Sequence, residues 1–247
     1  MSRWGLLGFG LGAYLLGLIA TAPASLIDTG LQQASGGKLS LAEAQGTLWS
    51  GTGEIQLLDR MQRSGVEKSI TWQLRPAYLL LGQLRCEVGL DNAAKRFPVT
   101  ISLAGIELAQ ADIDLPAAAL GLAIPKLAPL GLTGDVLLRV ARLSFGRNAI
   151  RGNATLQWRG AGSAYTRVSP LGDYELRFEG EGAAVRVSLR TLQGPLQLDG
   201  QGSWASGGKP VFQGTARVPP EHLQQLVPLM RLIALDHGGG RFTLRLQ

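Results

Sequence analysis

Three small groups of residues have side chains suited to catalysis or metal binding. The motif HGGG, His237 to Gly240, resembles the oxyanion loop of esterases, whose backbone N–H groups stabilise a developing negative charge. Asp112 and Asp114 alternate along a predicted strand, so both carboxylates share a face that could hold a hard cation. Cys86, the only cysteine, alternates within the predicted strand LRCEVGL.

None of these groups has the partners that its chemistry requires. No serine lies in a G-x-S-x-G motif, and a glycine turn after a helix explains HGGG. The two aspartates have no further carboxylate cluster beside them, and no phosphate-binding GxxxxGK[ST] loop is present. One thiol makes no internal disulfide, and two histidines are too few for a His-rich metal centre. We expect no enzyme, no cofactor, no metal site and no small-molecule substrate.

The composition indicates a folded protein with a basic surface. Of 247 residues, 45% are hydrophobic and 17% are charged, and the net charge is +6. The 34 glycines have no strict period, which excludes a collagen-like chain. The basic residues are scattered singly, without the aromatic interleaving of single-strand binders, so we expect no nucleic acid partner.

The N-terminal segment predicts a membrane anchor. The run Trp4 to Ile27 carries no charge and exceeds the roughly 20 residues that a helix needs to cross a bilayer. Arg3 precedes it, so the positive-inside rule places residues 1–3 in the cytoplasm and residues 28–247 on the other side. The alternative is a cleaved signal peptide with a small-residue site at Ala20 to Ala22, or a cut after Ala24.

Small residues within this run fall in helical register. Such faces allow close helix packing in lipid, so they suggest a helical partner, although glycine and alanine are common in membrane spans. The predicted packing face consists of Gly8, Gly10, Gly12, Ala13, Gly17 and Ala20.

Beyond the run, alternating apolar and polar residues predict a mainly β, largely antiparallel fold. The clearest strands are DYELRFEG, AAVRVSLR and the terminal RFTLRLQ, separated by glycine and proline turns. Short helices are predicted in PAYLLLG, PAAALG and PPEHLQQLVPLMRLIAL. A weak seam near residues 145–152 divides two strand-rich halves.

Tryptophans accompanied by glycines recur in both halves. A tryptophan on a covered face supplies a large buried area, and nearby glycines let strands bulge or approach closely. This combination predicts a strongly curved sheet. The structural Trp/Gly positions are Gly46, Trp49, Gly51, Trp72, Pro76, Trp158, Gly160 and Trp204.

Taken in order, these motifs resemble the type II secretion system protein N family. The resemblance runs through AQGTLWSGTGEIQL, ITWQLRPAYLLLGQL, LTGDVLLRVARLSF, LGDYELRFEGEG and FQGTARVPPEHLQQLVPLM, and includes the preceding apolar run. It implies a single-span inner-membrane protein of a Gram-negative bacterium with a periplasmic body. It also implies membership of the machine that exports folded proteins across the outer membrane, without catalytic residues.

Two mechanisms remain open at this point, one from the resemblance and one from the apolar strand faces. In the first, the protein is a scaffold or assembly subunit that contacts other inner-membrane and periplasmic subunits, and inner-membrane lipid through its span. In the second, the apolar side of the curved sheet is a lipid-binding groove for lipid transfer. Its lining would include Leu176, Phe178, Val187 and Leu244, whose alternative role is an ordinary closed core.

Overall fold

The computed structural model confirms a mainly β, antiparallel protein with few short helices. It describes residues 14, 17, 18, 20–58, 64–91, 96–124, 127–147, 149–205, 208 and 211–246. The chain divides into two compact units, Met1–Arg96 and Phe97–Gln247. The predicted seam at 145–152 falls inside the second unit, where those residues join β7 to β8 in a hairpin.

The first unit contains one helix and four strands. They are α1 (Ser25–Ser35), β1 (Leu39–Gly46), β2 (Ser50–Leu58), β3 (Ser64–Arg75) and β4 (Gln83–Leu90). Each strand pairs antiparallel with the next strand along the chain. A 3₁₀ helix, Pro76–Leu81, joins β3 to β4, with proline at its start and Gly82 in the left-handed conformation at its end. The predicted short helix in PAYLLLG is therefore confirmed.

The core of the first unit lies between α1 and the sheet. Ala24, Leu41 and Trp72 are buried there, and Ile27 packs against them. Asp28 of α1 accepts a hydrogen bond from the backbone N–H of Leu41 at 2.7 Å, which occupies a donor on the outer strand β1. This bond lowers the pKa of Asp28 despite partial desolvation.

The second unit contains most of the sheet. Its strands are β5 (Arg96–Ser102), β6 (Gly105–Pro116), β7 (Leu132–Gly146), β8 (Ile150–Ser163), β9 (Gly172–Gly182), β10 (Ala184–Gln193), β11 (Gln197–Ala205), β12 (Val211–Arg217), β13 (Leu235–Asp236) and β14 (Arg241–Leu246). Strands β5 to β12 follow chain order, and then β14 lies beside β12, with the two-residue β13 outside it. The helices are α2 (Ala118–Ala123) and α3 (Leu223–Ile233).

Helix α3 covers one end of the apolar sheet face in this unit. Leu226 and Met230 are fully buried, and they belong to the same cluster as Tyr174, Ala216 and Phe242. The amphipathic pattern predicted this helix, and Pro228 lies within it, on its exposed side. The wet side of the helix includes Leu232, which is 55% exposed.

The predicted anchor run ends inside α1. Residues 21–24 are not in a helix, and α1 starts at Ser25, so the last residues of the 4–27 run open a helix of the folded unit. Gly17 and Ala20 of the predicted packing face are exposed, whereas Gly8, Gly10, Gly12 and Ala13 lie outside the described residues. Among the described residues, no helix is both long and apolar enough to span a membrane.

Candidate functional site

In the first unit, a glycine on one strand faces a tryptophan ring on the next. Gly51 on β2 pairs with Trp72 on β3, and a Cβ at Gly51 would lie 2.4 Å from the Trp72 ring. Gly46 has a φ of 97°, which lets β1 turn towards Ser50. The glycine close to Trp49 in sequence therefore makes room for Trp72, while Trp49 itself is half-buried.

The indole of Trp72 also fixes the turn between β1 and β2. Its Nε1–H donates to the backbone oxygen of Thr47 at 3.1 Å. In the second unit, the Trp158 Nε1–H donates to the backbone oxygen of Thr133 at 3.0 Å. Both indoles therefore reach a threonine carbonyl 25 residues earlier in the chain. Trp72 and Trp158 thus each tie a strand to an earlier segment of the chain.

The other Trp/Gly positions have structural roles in or beside strands. Gly160 has a φ of 56° at an irregularity in the β8–β9 pairing, where a glycine is favoured. Trp204 is half-buried on β11, opposite Val185. Pro76 starts the 3₁₀ helix after β3. None of these side chains forms a chemically reactive group with its neighbours.

The four residues of the predicted groove or core share one sheet face. Phe178 pairs with Val187 across β9 and β10, and Leu176 lies one pleat away from Phe178. Val187 and Leu244 are buried, and Leu176 and Phe178 are half-buried. On the same face, the Phe212 ring fills the space above Gly200 and Gly202, where added Cβ atoms would lie 2.5 and 2.8 Å from it.

A groove of about 930 Å³ lies on the opposite, polar face of β9 to β14. Two arginines and two acidic residues balance its charge, and serine, threonine and glutamine supply the remaining polar groups. Six of the lining residues are Arg177, Arg186, Asp199, Gln201, Gln213 and Thr215. The charged, hydroxyl and amide groups of this lining offer many hydrogen bonds to a polar ligand.

Glu175 is the most enclosed charged group near this groove. Its side chain is 6% exposed and accepts hydrogen bonds from Arg177 Nε at 2.7 Å, Arg190 Nε at 2.9 Å and Gln157 Nε2 at 3.2 Å. Burial alone raises the pKa of this carboxyl group, but the three hydrogen bonds outweigh it and lower the pKa. A carboxylate held ionised in this way is a structural anchor for two arginines and a poor proton donor.

The residues that suggested catalysis remain separate from one another. Gly238, Gly239 and Gly240 all have positive φ angles in the turn before β14, as a glycine turn requires. Cys86 is half-buried against the core of the first unit, and burial raises the pKa of its thiol. In the described part of the chain, no three His, Cys, Asp or Glu side chains form a group that could hold a metal ion.

Two exposed apolar surfaces were not apparent from the sequence pattern. The first, here called the apolar row, comprises Ile101, Leu103, Ile106 and Phe145 in the second unit. Ile101 pairs with Ile106, and Ile106 pairs with Phe145, so these three side chains share one face. Leu103, in the adjoining hairpin turn, is 93% exposed. Gly105 allows the close approach of β6 and β7, because a Cβ there would lie 1.9 Å from the Phe145 oxygen.

The second surface, here called the leucine turn, comprises Leu79, Leu80 and Leu81 of the 3₁₀ helix in the first unit. These side chains are 45%, 92% and 71% exposed. The guanidinium of Arg85 lies over the Tyr78 ring, 5.1 Å from its centroid, and its Nη1 donates to the Tyr78 hydroxyl at 3.2 Å. Three consecutive exposed leucines beside an aromatic ring and a cation are typical of a surface that contacts another apolar phase.

Comparison with known protein families gives a match over most of the chain. The family model described as "Type II secretion system (T2SS), protein N" matches residues 37–245, from just before β1 to within β14. Neither a curated protein nor a solved structure matches the chain.

Proposed function

Because the chain belongs to the type II secretion system protein N family, we propose that it is an inner-membrane-anchored scaffold or assembly subunit of that machine. The family match over residues 37–245 is the observation that carries this proposal. The charge-free run from Trp4 to Ile27, with Arg3 before it, supports a single anchor with the N-terminus in the cytoplasm. The two units then lie in the periplasm, where the substrates of type II secretion wait for export.

The apolar row is the surface that we propose for contact with another subunit. Family membership implies such partners. Ile101, Ile106 and Phe145 are exposed on one face of β5 to β7, and Leu103 is exposed in the adjoining turn. Addition of a partner strand is less suited to β1 and β13. Asp28 occupies the Leu41 N–H within β1, and β13 has only two residues for pairing.

The packing of the apolar sheet face favours this function over lipid transfer. Val187 and Leu244 are buried, α3 covers the neighbouring cluster, and the 930 Å³ groove lies on the polar face. An acyl chain requires a trough lined by apolar side chains, as in pockets that bury most of an apolar ligand. Leu176 and Phe178 are only half-buried, so they are the part of this face that could still contact lipid.

Secretion in a deletion strain tests the proposal. One folded exoprotein is measured in the medium and in the periplasm after restoring either the full chain or a released form. The released form replaces residues 1–20 with a cleavable signal peptide, because Ala24 and Ile27 belong to the folded unit and must be retained. We expect periplasmic accumulation in the deletion strain and rescue only by the anchored chain. Normal secretion together with a permeable outer membrane would instead support lipid handling.

Substitution of the apolar row tests the contact surface. Leu103→Asp should leave the fold intact, because this side chain is almost fully exposed, and should reduce secretion in the rescue assay. Leu192→Asp is a control, since Leu192 is also an exposed leucine at the end of a strand of the same unit. Equal secretion by the two variants would exclude the apolar row as the subunit contact.

A further inference from the structure

We propose that the leucine turn inserts into the membrane surface beside the N-terminal run, giving the first unit a second contact with lipid. This inference shares with the proposed function only the assumption that the N-terminal run lies in a membrane. It concerns Leu79, Leu80 and Leu81, together with Tyr78 and Arg85.

The hydrogen bonds of the first unit place the leucine turn at the end where the apolar run joins it. The Leu48 N–H donates to the Ala22 oxygen at 2.8 Å, and Pro23 forms a bridge with Thr47. The Leu74 N–H donates to the Trp49 oxygen at 2.6 Å, and the 3₁₀ helix begins two residues after Leu74. The turn after β1 and the turn after β3 therefore lie side by side, and the apolar run joins the unit at the first of them.

The geometry of the 3₁₀ helix identifies the kind of partner. A 3₁₀ helix has three residues per turn, so three consecutive side chains point about 120° apart. Leu79, Leu80 and Leu81 therefore cannot all enter a groove on a protein partner, which takes one face of a helix. A bilayer surrounds an inserted turn on all sides, and it accommodates leucines that point in three directions.

The residues next to the leucines suit the boundary between lipid tails and headgroups. Tyrosine is enriched at that boundary because its ring is apolar and its hydroxyl group is polar. Arg85 stacks on the Tyr78 ring and bonds its hydroxyl, and Arg75 lies opposite Arg85 on the paired strand. Arg75 is also bonded to Glu87, whereas Arg85 has no acidic partner among the residues that the structure describes, so Arg85 supplies positive charge for lipid phosphates.

Spin labelling of the full chain in vesicles tests this inference. Cys86→Ala removes the native thiol, and Leu80→Cys then carries a nitroxide in vesicles of equimolar phosphatidylcholine and phosphatidylglycerol. Lys38→Cys is the matched control, because Lys38 is exposed and lies before β1, at the opposite end of the unit. Relaxation by oxygen and by a water-soluble nickel chelate reports whether each label lies in lipid or in water.

We expect the label at position 80 to be several-fold less accessible to the nickel chelate than the label at position 38, and more accessible to oxygen. Leu81→Cys, at the other strongly exposed leucine, should behave like Leu80→Cys. Equal nickel accessibility at positions 80 and 38 would overturn the inference, and it is the result expected if the turn instead contacts a protein partner that these vesicles lack. Flotation of the vesicles separates the two proposals, because a chain that floats with an aqueous label at position 80 retains its anchor and lacks only the second contact.

Discussion

Gly51 and Trp72 form a pair in which the absence of one side chain makes room for the other. In Gly51→Ala, the new Cβ would lie 2.4 Å from the Trp72 ring and 2.3 Å from the backbone oxygen of Gln45. We expect destabilisation by about 1–3 kcal/mol, because neither neighbour can move without disturbing the sheet. Thermal unfolding of the full chain in a mild detergent, followed by circular dichroism, measures this loss.

The control for this change is Gly30→Ala in α1. Apart from the adjacent residues and the backbone of the helix itself, nothing lies within 4 Å of a Cβ at Gly30, and alanine is the better helix former. We expect stabilisation by up to about 1 kcal/mol. Destabilisation of similar size in both variants would show that the protein responds to glycine replacement in general and would remove the special role of Gly51.

The two indole hydrogen bonds differ in their exposure to solvent, which allows a paired comparison. Trp72→Phe keeps most of the buried ring but removes the donor to Thr47, so we expect a loss of about 1–2 kcal/mol. Trp158→Phe removes an exposed bond to Thr133, where water replaces the donor, and its loss should be smaller. Urea unfolding of both variants measures the difference, and a larger loss for Trp158→Phe would contradict the proposed importance of burial.

Glu175 should make stability depend on pH in the acid range. Its pKa is lower in the folded protein than in the unfolded chain, where it is about 4.3. Its contribution is therefore present above that value and is lost as the pH falls through the folded pKa. We expect Glu175→Gln to cost about 1 kcal/mol at neutral pH, since both arginines are half exposed and solvent screens the pairs.

The measurement is the melting temperature of the wild-type protein and of Glu175→Gln between neutral and acid pH. The difference should shrink below about pH 4, because the wild-type carboxylate then takes up a proton. Glu179→Gln changes an exposed residue of the same strand and serves as the control. A difference that stays constant down to acid pH would show that the charge of Glu175 does not contribute.

Glu175 also shows what alternation fails to reveal at single positions. The pattern DYELRFEG places Glu175 on the wet face with Arg177 and Glu179, and the paired residues confirm that arrangement. The carboxylate is nevertheless buried, because Arg177 and Arg190 fold over it. The side chains that shield it come from the same strand and from its partner, and one-strand periodicity contains no information about the partner's register.

At the scale of helices and strands, the packing of α3 on the sheet can be tested directly. Leu226→Ala removes a fully buried side chain from the cluster with Phe242, so we expect a loss of about 2–5 kcal/mol. Leu232→Ala changes a 55% exposed leucine of the same helix and should alter stability by less than about 0.5 kcal/mol. Thermal unfolding compares the two variants. Similar losses would mean that α3 does not pack on the sheet through Leu226.

Elements with strong periodicity were predictable, and their exposure was not. The strands β9, β10 and β14 and the helix α3 follow the patterns of DYELRFEG, AAVRVSLR, RFTLRLQ and PPEHLQQLVPLM. The 3₁₀ helix in PAYLLLG was also predictable from its proline and glycine. The exposure of its leucines was not predictable, because a short apolar segment has the same composition whether it is covered or extends into solvent.

At the scale of the whole molecule, each unit has its own buried cluster. Gly51→Ala should increase amide hydrogen exchange in β1, β2 and β3 and leave β9 to β12 unchanged, because the affected contacts lie within the first unit. Leu226→Ala should have the opposite pattern. Hydrogen–deuterium exchange with mass spectrometry resolves both regions, and equal loosening of the two units by either variant would show that they unfold together.

The division of the chain shows the limit of composition as a guide to domains. The sequence indicated a seam near 145–152, where glycine and asparagine interrupt two strands, but a hairpin turn has the same residues. Compact units are defined by contacts between distant residues, and Trp72 with Ala24 is such a contact. For the predicted groove or core, the sequence pattern shows that the four apolar residues share one sheet face. It does not show whether they are covered, because their covering depends on the packing of α3 and Phe212 against the sheet.

The order of strands within each unit has a consequence for how the protein is made. Up to β12, paired strands inside a unit are consecutive in the chain, and only β14 and β13 depart from that order. Such local pairing closes short loops and favours rapid folding. A chain whose β1 leaves a membrane pore before its later strands can add each strand to the one before it as it emerges. During such vectorial synthesis, up to β12, only the most recently emerged strand of a unit has an edge that still lacks its next partner.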